Sequence, residues 1–426
     1  MVISSLALLA QISSAYLGST IWGGWAAFLA FLYILSFVYF VFLIISTILF
    51  TPIDYPIKQY LVSKAKRKIL RLQPKLKIVG TTGSYGKTTT KEVVASVLSQ
   101  GFKVLKTPEN FNTPLGIARF ILKDVSDSTE VLVIEMGAYR RGDIKKLCAL
   151  TPPDVVILTG INESHLERFG SLENTIEAKF EIVKALKGSG FAVLNADDNL
   201  VVKNYKRFCG ENLYFYSSSK HPLASIYTER VRFDPENLRL ELVLNRDGDK
   251  YNFSVPFLGK YIAGTIGAAI IVASKLGLSR AQIEKGITQL RPSPHRLEVV
   301  SNKNKVVVID DSYNGNPDGV REAINALSQF KQSRRIYVTP GLVEMGSVSA
   351  KVHERIGEEL ASVASLVILI RNSVTGHIAD GLKRQGFPVG DIMWFDTARA
   401  ARAALPNIVR AGDVILFQND WPENYI

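Results

Sequence analysis

The chain has 426 residues, 47% of them apolar, a net charge of +12 and only two cysteines. That length provides two or three domains, each able to bury its own core. Cys148 and Cys209 stand far apart with no His or Cys at ligand spacing, which excludes a disulfide framework and a zinc site and suits a reducing compartment.

No side chain before Asp54 is charged, and the run Trp25–Phe50 is interrupted only by Ser36, Ser46 and Thr47. About 20 apolar residues cross the hydrocarbon core, so this run is long enough to span with some tilt. Val2–Leu17 is shorter and more polar. It reads either as a weaker first span, forming a hairpin around Gly18–Gly24, or as an interfacial segment. A cleaved signal peptide does not fit, because no basic residue precedes an apolar stretch of this length. Residues 1–57 are therefore expected to form a membrane anchor. Lys58, Lys64, Lys66, Arg67, Lys68, Arg71, Lys75 and Lys77 follow with no acid among them. Such a basic linker, taken as 58–75, faces the cytoplasmic side of an inner membrane and places the rest of the chain there. It also accounts for most of the positive charge, so the high pI indicates a membrane surface and not a nucleic-acid partner.

From Lys75 onward, short β-branched runs alternate with longer amphipathic segments. Strands are expected at Leu76–Gly80, Val131–Glu135, Val155–Thr159 and Phe191–Asn195, with helices starting near Lys87, Ile144 and Thr175. This alternation predicts an α/β fold with a mostly parallel sheet. Leu213–Tyr216, Ser225–Arg232, Leu238–Leu244 and Tyr251–Val255 predict antiparallel strands, with a turn at Asp247-Gly248, inserted before a helix at 259–276. After Pro292 a second strand–helix series begins: Lys305–Asp310, Arg335–Val338, Leu366–Ile370, Asp391–Phe395 and Asp413–Phe417. Two prolines place the boundary near Pro292–His295. The expected domains are 76–294, a central P-loop α/β domain, and 295–426, a Rossmann-like α/β domain.

Gly80-Thr-Thr-Gly-Ser-Tyr-Gly-Lys-Thr-Thr-Thr-Lys91 lies between the first strand and helix. A triphosphate loop needs glycines where backbone approaches phosphate, a lysine for the β/γ oxygens and a hydroxyl for Mg²⁺. Gly83, Gly86, Lys87 and Thr88 fill those places, although Thr81 replaces the first glycine of the strict pattern. Glu135 ends an apolar strand where an α/β sheet exposes ligand-facing residues. His165 follows another strand. Each alone would read as an ordinary surface group; together with the loop they form a constellation.

Further motifs follow in order: Asn110-Phe-Asn-Thr-Pro-Leu-Gly116, Ile134-Glu-Met-Gly137, Glu163-Ser-His-Leu-Glu167, Glu177-Ala-Lys-Phe-Glu-Ile182 and Leu194-Asn-Ala-Asp-Asp198. Arg296-Leu-Glu298, Asp310-Asp-Ser-Tyr-Asn-Gly-Asn-Pro317 and Glu344-Met-Gly346 complete the series. It resembles the Mur ligases of peptidoglycan synthesis, most closely the MurF type, over roughly residues 76–420. The resemblance implies an ATP-dependent amide ligase: ATP phosphorylates a substrate carboxylate, an amine attacks the acyl phosphate, and phosphate leaves. It further implies that Thr82, Gly83, Ser84, Gly86, Lys87, Thr88, Thr89 and Asn195 contact ATP, that Arg296 reaches the γ-phosphate and that Asp311 binds ribose. Thr88, Glu135, His165 and Lys179, the last as a carbamate, would hold Mg²⁺. Lys87, Lys179, His165 and Arg296 are the implied catalytic residues. Asn110, Asn112, Thr113, Tyr313, Asn314 and Asn316 would line the substrate side.

The sequence departs from the family in several places. The membrane segment occupies the position of the usual UDP-sugar domain, which points to a lipid-linked or polymeric peptide acceptor. Tyr261-Ile-Ala-Gly-Thr265 replaces the His-Asn-x-x-Asn that helps bind adenine, Gly160 stands where asparagine is common, and the usual closing lysine motif is missing. A poly-γ-glutamate-synthase-like membrane ligase is the enzymatic alternative, and a non-catalytic nucleotide-binding scaffold for cell-wall enzymes is the other. The sequence leaves the oligomeric state open.

Overall fold

The structure, a computed structural model, describes residues 21–419 apart from 74, 110, 163–165, 304, 314 and 344. It divides after Lys64 into two units. The first holds most of an α-helix over Ile21–Leu72, whose segment Phe28–Thr47 is long and apolar enough to cross a membrane by length and composition. Its hydroxyls bond back along the helix: Ser36 to the Leu32 carbonyl at 2.9 Å, Ser46 to Phe42 at 2.6 Å and Thr47 to Leu43 at 2.7 Å. Polar groups satisfied in this way are compatible with hydrocarbon. The alternative first span at 2–17 lies outside the described residues.

The second unit begins at Ala65. The stretch expected as a linker is helical to Leu72, with Ala65 and Ile69 fully buried. Lys68 Nζ donates to the Ile121 carbonyl at 2.9 Å. These turns are packed structure because Ala65 and Ile69 face the core, Lys68 finds carbonyls and Arg71 pairs with Asp127 at 3.0 Å.

The α/β expectation holds. One sheet contains β1 (Lys77–Thr82), β2 (Val104–Lys106), β3 (Val131–Glu135), β4 (Val155–Leu158), β5 (Phe191–Asn195), β6 (Leu213–Ser217), β7 (Ile226–Asp234), β8 (Arg239–Arg246) and β9 (Asp249–Val255). Their spatial order is β2-β3-β1-β4-β5-β6-β7-β8-β9. β6 was expected to be antiparallel, yet it lies parallel to β5 and to β7. The reason is the helix Asn199–Phe208, which carries the chain back between β5 and β6 as a parallel crossover. Among the described residues of this sheet only β7–β8 and β8–β9 are antiparallel pairs, the second turning at Asp247-Gly248. One face of the sheet packs on the helices Lys87–Leu98 and Ile262–Lys275, where Val79, Val133 and Ile157 meet Val94, Ile266 and Ile270.

The second sheet contains β10 (Glu298–Lys303), β11 (Val306–Asp311), β12 (Arg335–Thr339), β13 (Leu366–Ile370), β14 (Ile392–Phe395) and β15 (Val414–Gln418), in the order β10-β11-β15-β12-β13-β14. All pairs are parallel except β10–β11. Gln329 Nε2 donates to the Leu258 carbonyl at 3.2 Å, and Phe233 meets Phe330 edge-on at 5.0 Å, so the two sheet bodies touch.

In the first sheet β1 lies between β3 and β4. The chain adds β2 and β3 on one side of β1 and β4 on the other, so a crevice opens at the carboxyl ends of the three parallel strands. The loop after β1, Glu135 at the end of β3 and the loop after β4 all arrive at it.

Candidate active site

The helix Lys87–Leu98 starts at Gly86, whose φ of 72° is left-handed, and no side chain caps it. Glycine holds that conformation without strain. The first helical amides are left for an anion in the crevice. Lys87 Nζ rests 3.3 Å from the Ser84 carbonyl, and Thr88 Oγ1 donates to Glu135 Oε2 at 2.8 Å. Below them Lys91 is fully buried; its Nζ donates to the Thr107 carbonyl at 2.7 Å and lies 4.0 Å from Glu135 Oε2. A buried ammonium requires such partners.

A cavity of about 150 Å³ gathers Ser84, Tyr85, Gly86, Lys87, Thr88, Glu109, Asn112, Glu135, Gly137, Ala138, Tyr139, Lys179, Arg296, Tyr313 and Asn316. Most of the polar residues that the sequence singled out thus converge from both sheet bodies. Lys179 is 3% exposed; burial, reinforced by the charge of Lys87, pushes its ammonium down to about 7 against the pull of Asp143 and Glu135. Burial also lowers Lys87, with Glu135 opposing and Arg296 assisting. The Arg296 guanidinium lies 4.8 Å from the centre of the Tyr313 ring, and its Nη2 is 3.5 Å from Thr88 Oγ1. Its buried Nε has no hydrogen-bond partner among the described residues. A rigid cation stacked this way, with a donor to spare beside the phosphate loop, suits an anion.

Other singled-out side chains are engaged elsewhere. Thr82 Oγ1 donates to the Met136 carbonyl at 2.7 Å, and Thr113 caps the helix Pro114–Asp124 by accepting from Gly116 N. Asn195 donates to the Thr159 carbonyl at 2.8 Å and accepts from Asp197 N at 2.9 Å. Thr89 is buried and hydrogen-bonds Tyr261. Gly83 packs against Thr159 and Gly160. Asp311 accepts from Leu297 N at 3.1 Å, and burial pushes its carboxyl up to about 7. Asn316 accepts from Gly319 N at the start of the helix Pro317–Ser328 while also lining the cavity. Asn110, His165 and Asn314 lie outside the described residues. Ile262 is fully buried and Thr265 is 7% exposed, so neither presents an amide-like edge to a base.

Tyr85, Glu109 and Tyr139, none of them a candidate from the sequence, also line the cavity. Tyr85 lies inside the phosphate loop itself, and Tyr139 follows Gly137 by two positions; those neighbourhoods were the available signal. The two sheet bodies are joined beside the site by Asn162 Nδ2, which donates to Asp318 Oδ2 at 2.6 Å.

Comparison with known proteins gives matches over most of this second unit. Residues 81–273 match the family model of the Mur ligase middle domain, and residues 295–418 that of the Mur ligase, glutamate ligase domain. The UDP-N-acetylmuramoyl-tripeptide–D-alanyl-D-alanine ligase of Mycobacterium bovis is 31% identical over 360 residues, covering 80% of this chain and 70% of that one. The Bacillus subtilis enzyme of the same name is 27% identical over 343 residues, covering 80% and 72%. Among solved structures, the MurF ligase from Thermotoga maritima in complex with ADP superposes with a TM-score of 0.74 at 28% identity, covering 85% of this chain and 80% of that one.

Proposed function

As the chain belongs to the Mur ligase family of ATP-dependent amide ligases, we propose that it is a MurF-type ligase that extends a cell-envelope peptide precursor at the cytoplasmic face of the inner membrane. The observation that carries this reading is the single cavity in which Lys87, Thr88, Glu135, Lys179 and Arg296 converge. An acceptor carboxylate oxygen attacks the γ-phosphorus of ATP and ADP departs. The incoming amine, D-alanyl-D-alanine in the relatives' names, then attacks the acyl carbon. Phosphate leaves with the C–O bonding pair, the amine proton is lost and an amide remains.

Lys87 and the amides at the start of its helix stabilise charge on the transferred phosphoryl group. Arg296 adds a fixed cation from the second sheet body. Asn112, Tyr313 and Asn316 line the side of the cavity left for the acceptor. The site fits Mg²⁺ through hard oxygen donors: the Glu135 carboxylate, the Thr88 hydroxyl and a carbamate on Lys179. Among the described residues no group of three His, Cys, Asp or Glu side chains forms a cage. Mg²⁺ ordinarily takes few protein ligands beside substrate phosphates. Bound there, it would neutralise charge on the phosphates. Lys179, held near neutrality, carries the amine that reacts with CO₂.

The apolar helix and the basic residues behind it support an anchored enzyme whose acceptor is lipid-linked. The test uses detergent-extracted full-length protein with ATP, Mg²⁺, D-alanyl-D-alanine and either a UDP-linked or a lipid-linked muropeptide. Phosphate release with the lipid-linked acceptor, absent in Lys87→Ala, is expected. No release above that variant with either acceptor overturns the ligase reading; release with the UDP-linked acceptor alone overturns the lipid-linked one.

A further inference from the structure

Tyr85 sits in the phosphate loop directly before Gly86 and Lys87, yet its side chain reaches away from the loop to a carboxylate 113 positions on. Its hydroxyl donates to Asp198 Oδ2 at 2.7 Å. The same oxygen accepts from Ile161 N at 2.9 Å, while Oδ1 accepts from Leu200 N and Val201 N at the start of the helix Asn199–Phe208. The path of the ring runs over Gly160. A Cβ built there would lie 2.2 Å from both Cζ and the hydroxyl oxygen of Tyr85. Three further bonds tie this junction, each with a backbone partner: Ser84 N donates to the Gly160 carbonyl at 2.8 Å, Asn162 N donates to Ser84 Oγ at 3.1 Å, and Thr159 Oγ1 donates to the Tyr85 carbonyl.

We propose that Tyr85 is a positioning residue for nucleotide binding: a strut from the phosphate loop to Asp198 that sets the placement of Gly86, Lys87 and Thr88, and that exists only because residue 160 has no side chain. A tyrosine hydroxyl on a buried carboxylate is a charge-assisted bond on a rigid ring. It fixes the loop at the residue next to the phosphate-facing amides, where a shift of a fraction of an ångström weakens every bond to the anion. Asp198 is already anchored by three amides, so the strut's far end does not move. The proposal rests on the nucleotide-binding reading above.

The experiment measures affinity of the full-length protein for a fluorescent ADP, with KM for ATP, kcat and melting temperature recorded alongside. Wild type must bind ADP; if it does not, the nucleotide reading fails irrespective of the strut. Tyr85→Phe keeps the ring and loses the hydroxyl; it is expected to weaken ADP binding about fivefold and raise KM for ATP similarly, with melting temperature little changed. Gly160→Ala is expected to weaken binding at least as much. In a Tyr85→Ser background, where the ring is gone, Gly160→Ala should lose most of its cost and keep only the part set by the backbone, whose φ is 159°. Wild-type affinity in Tyr85→Phe, or a Gly160→Ala cost that persists unchanged without the ring, overturns the proposal. A fall in melting temperature with affinity intact would also overturn it, since that marks a purely structural contact.

Discussion

Thr88 Oγ1 donates to Glu135 Oε2 at 2.8 Å across 47 positions of sequence. β1 and β3 are parallel neighbours with Thr81 opposite Glu135, so the phosphate loop and the strand-end carboxylate emerge side by side. The bond holds both oxygens where a hard cation would meet them, and the buried Lys91 ammonium lies beneath, 4.0 Å from the same carboxylate oxygen.

Replacing Glu135 by Gln retains an acceptor for Thr88 but removes the charge. The Mg²⁺ concentration giving half-maximal phosphate release should rise by at least about tenfold, the lower end of the range for groups that build and orient metal sites. A Mg²⁺ titration that superposes on wild type would exclude Glu135 from the metal site.

Lys179 gives a pH signature. With its ammonium pushed down to about 7, the neutral amine predominates above that pH and can add CO₂, releasing one proton and leaving a carbamate. Activity should therefore climb as pH rises through about 7 and should respond to added bicarbonate. Lys179→Ala should be slow and indifferent to bicarbonate. A bicarbonate-independent wild type would remove the carbamate from the mechanism.

Arg296 meets the phosphate loop from the other sheet body. Arg296→Lys keeps the charge and loses the planar fork stacked on Tyr313. The turnover number is expected to fall about 10³-fold, the scale of a cation that stabilises a transferring phosphoryl group, whereas ADP affinity should change little because ADP lacks the γ-phosphate. Equal losses in both would place Arg296 on the part of the nucleotide shared by ATP and ADP.

His353 is fully buried, with Nε2 accepting from Leu342 N at 2.8 Å and Nδ1 donating to the Ser349 carbonyl at 2.7 Å. Burial holds its pKa below the ordinary 6.5. The unfolded chain therefore takes up this proton first on acidification. The contribution of His353 is complete above about pH 6.5 and is lost progressively below it. His353→Leu should lose that pH dependence and cost about 1–3 kcal/mol through the unpaired Leu342 amide. Denaturant melts at pH 5.5 and 7.5 compare the two.

Deleting residues 1–57 removes the apolar window. Phosphate release with soluble acceptors should persist, while the protein no longer sediments with membranes. Full-length protein should resist a high-salt wash and leave the bilayer only with detergent. Release by salt alone would make the association peripheral.

The alternating strands and helices were legible because a buried parallel strand shows as a β-branched run wherever it occurs. β3, β5 and β13 have the ends that the pattern indicates. β2 was missed because three residues make no periodicity. β6 was misread because its direction depends on the preceding crossover helix, not on its own alternation. In the site, Lys87, Thr88, Glu135 and Arg296 were visible as motif residues, and the cavity contains them. Tyr85 and Tyr139 were not, since a loop aromatic has no pattern until its neighbours are known.

By itself the sequence determined the nucleotide site, because a phosphate loop and a strand-end acid are local arrangements of backbone and side-chain chemistry, and its ordered motifs gave the reaction class through their resemblance to the Mur ligases. It also determined the long uncharged segment, a matter of composition alone. Tertiary structure decided what surrounds each group. It buries Lys179 beside Lys87, stacks Arg296 on Tyr313 and turns Ile262 inward from the position where a base-binding amide would stand. It also lays Tyr85 across Gly160. Burial, electrostatic coupling and steric fit depend on contacts between distant residues, and only the packing of the two sheet bodies around the crevice specifies them.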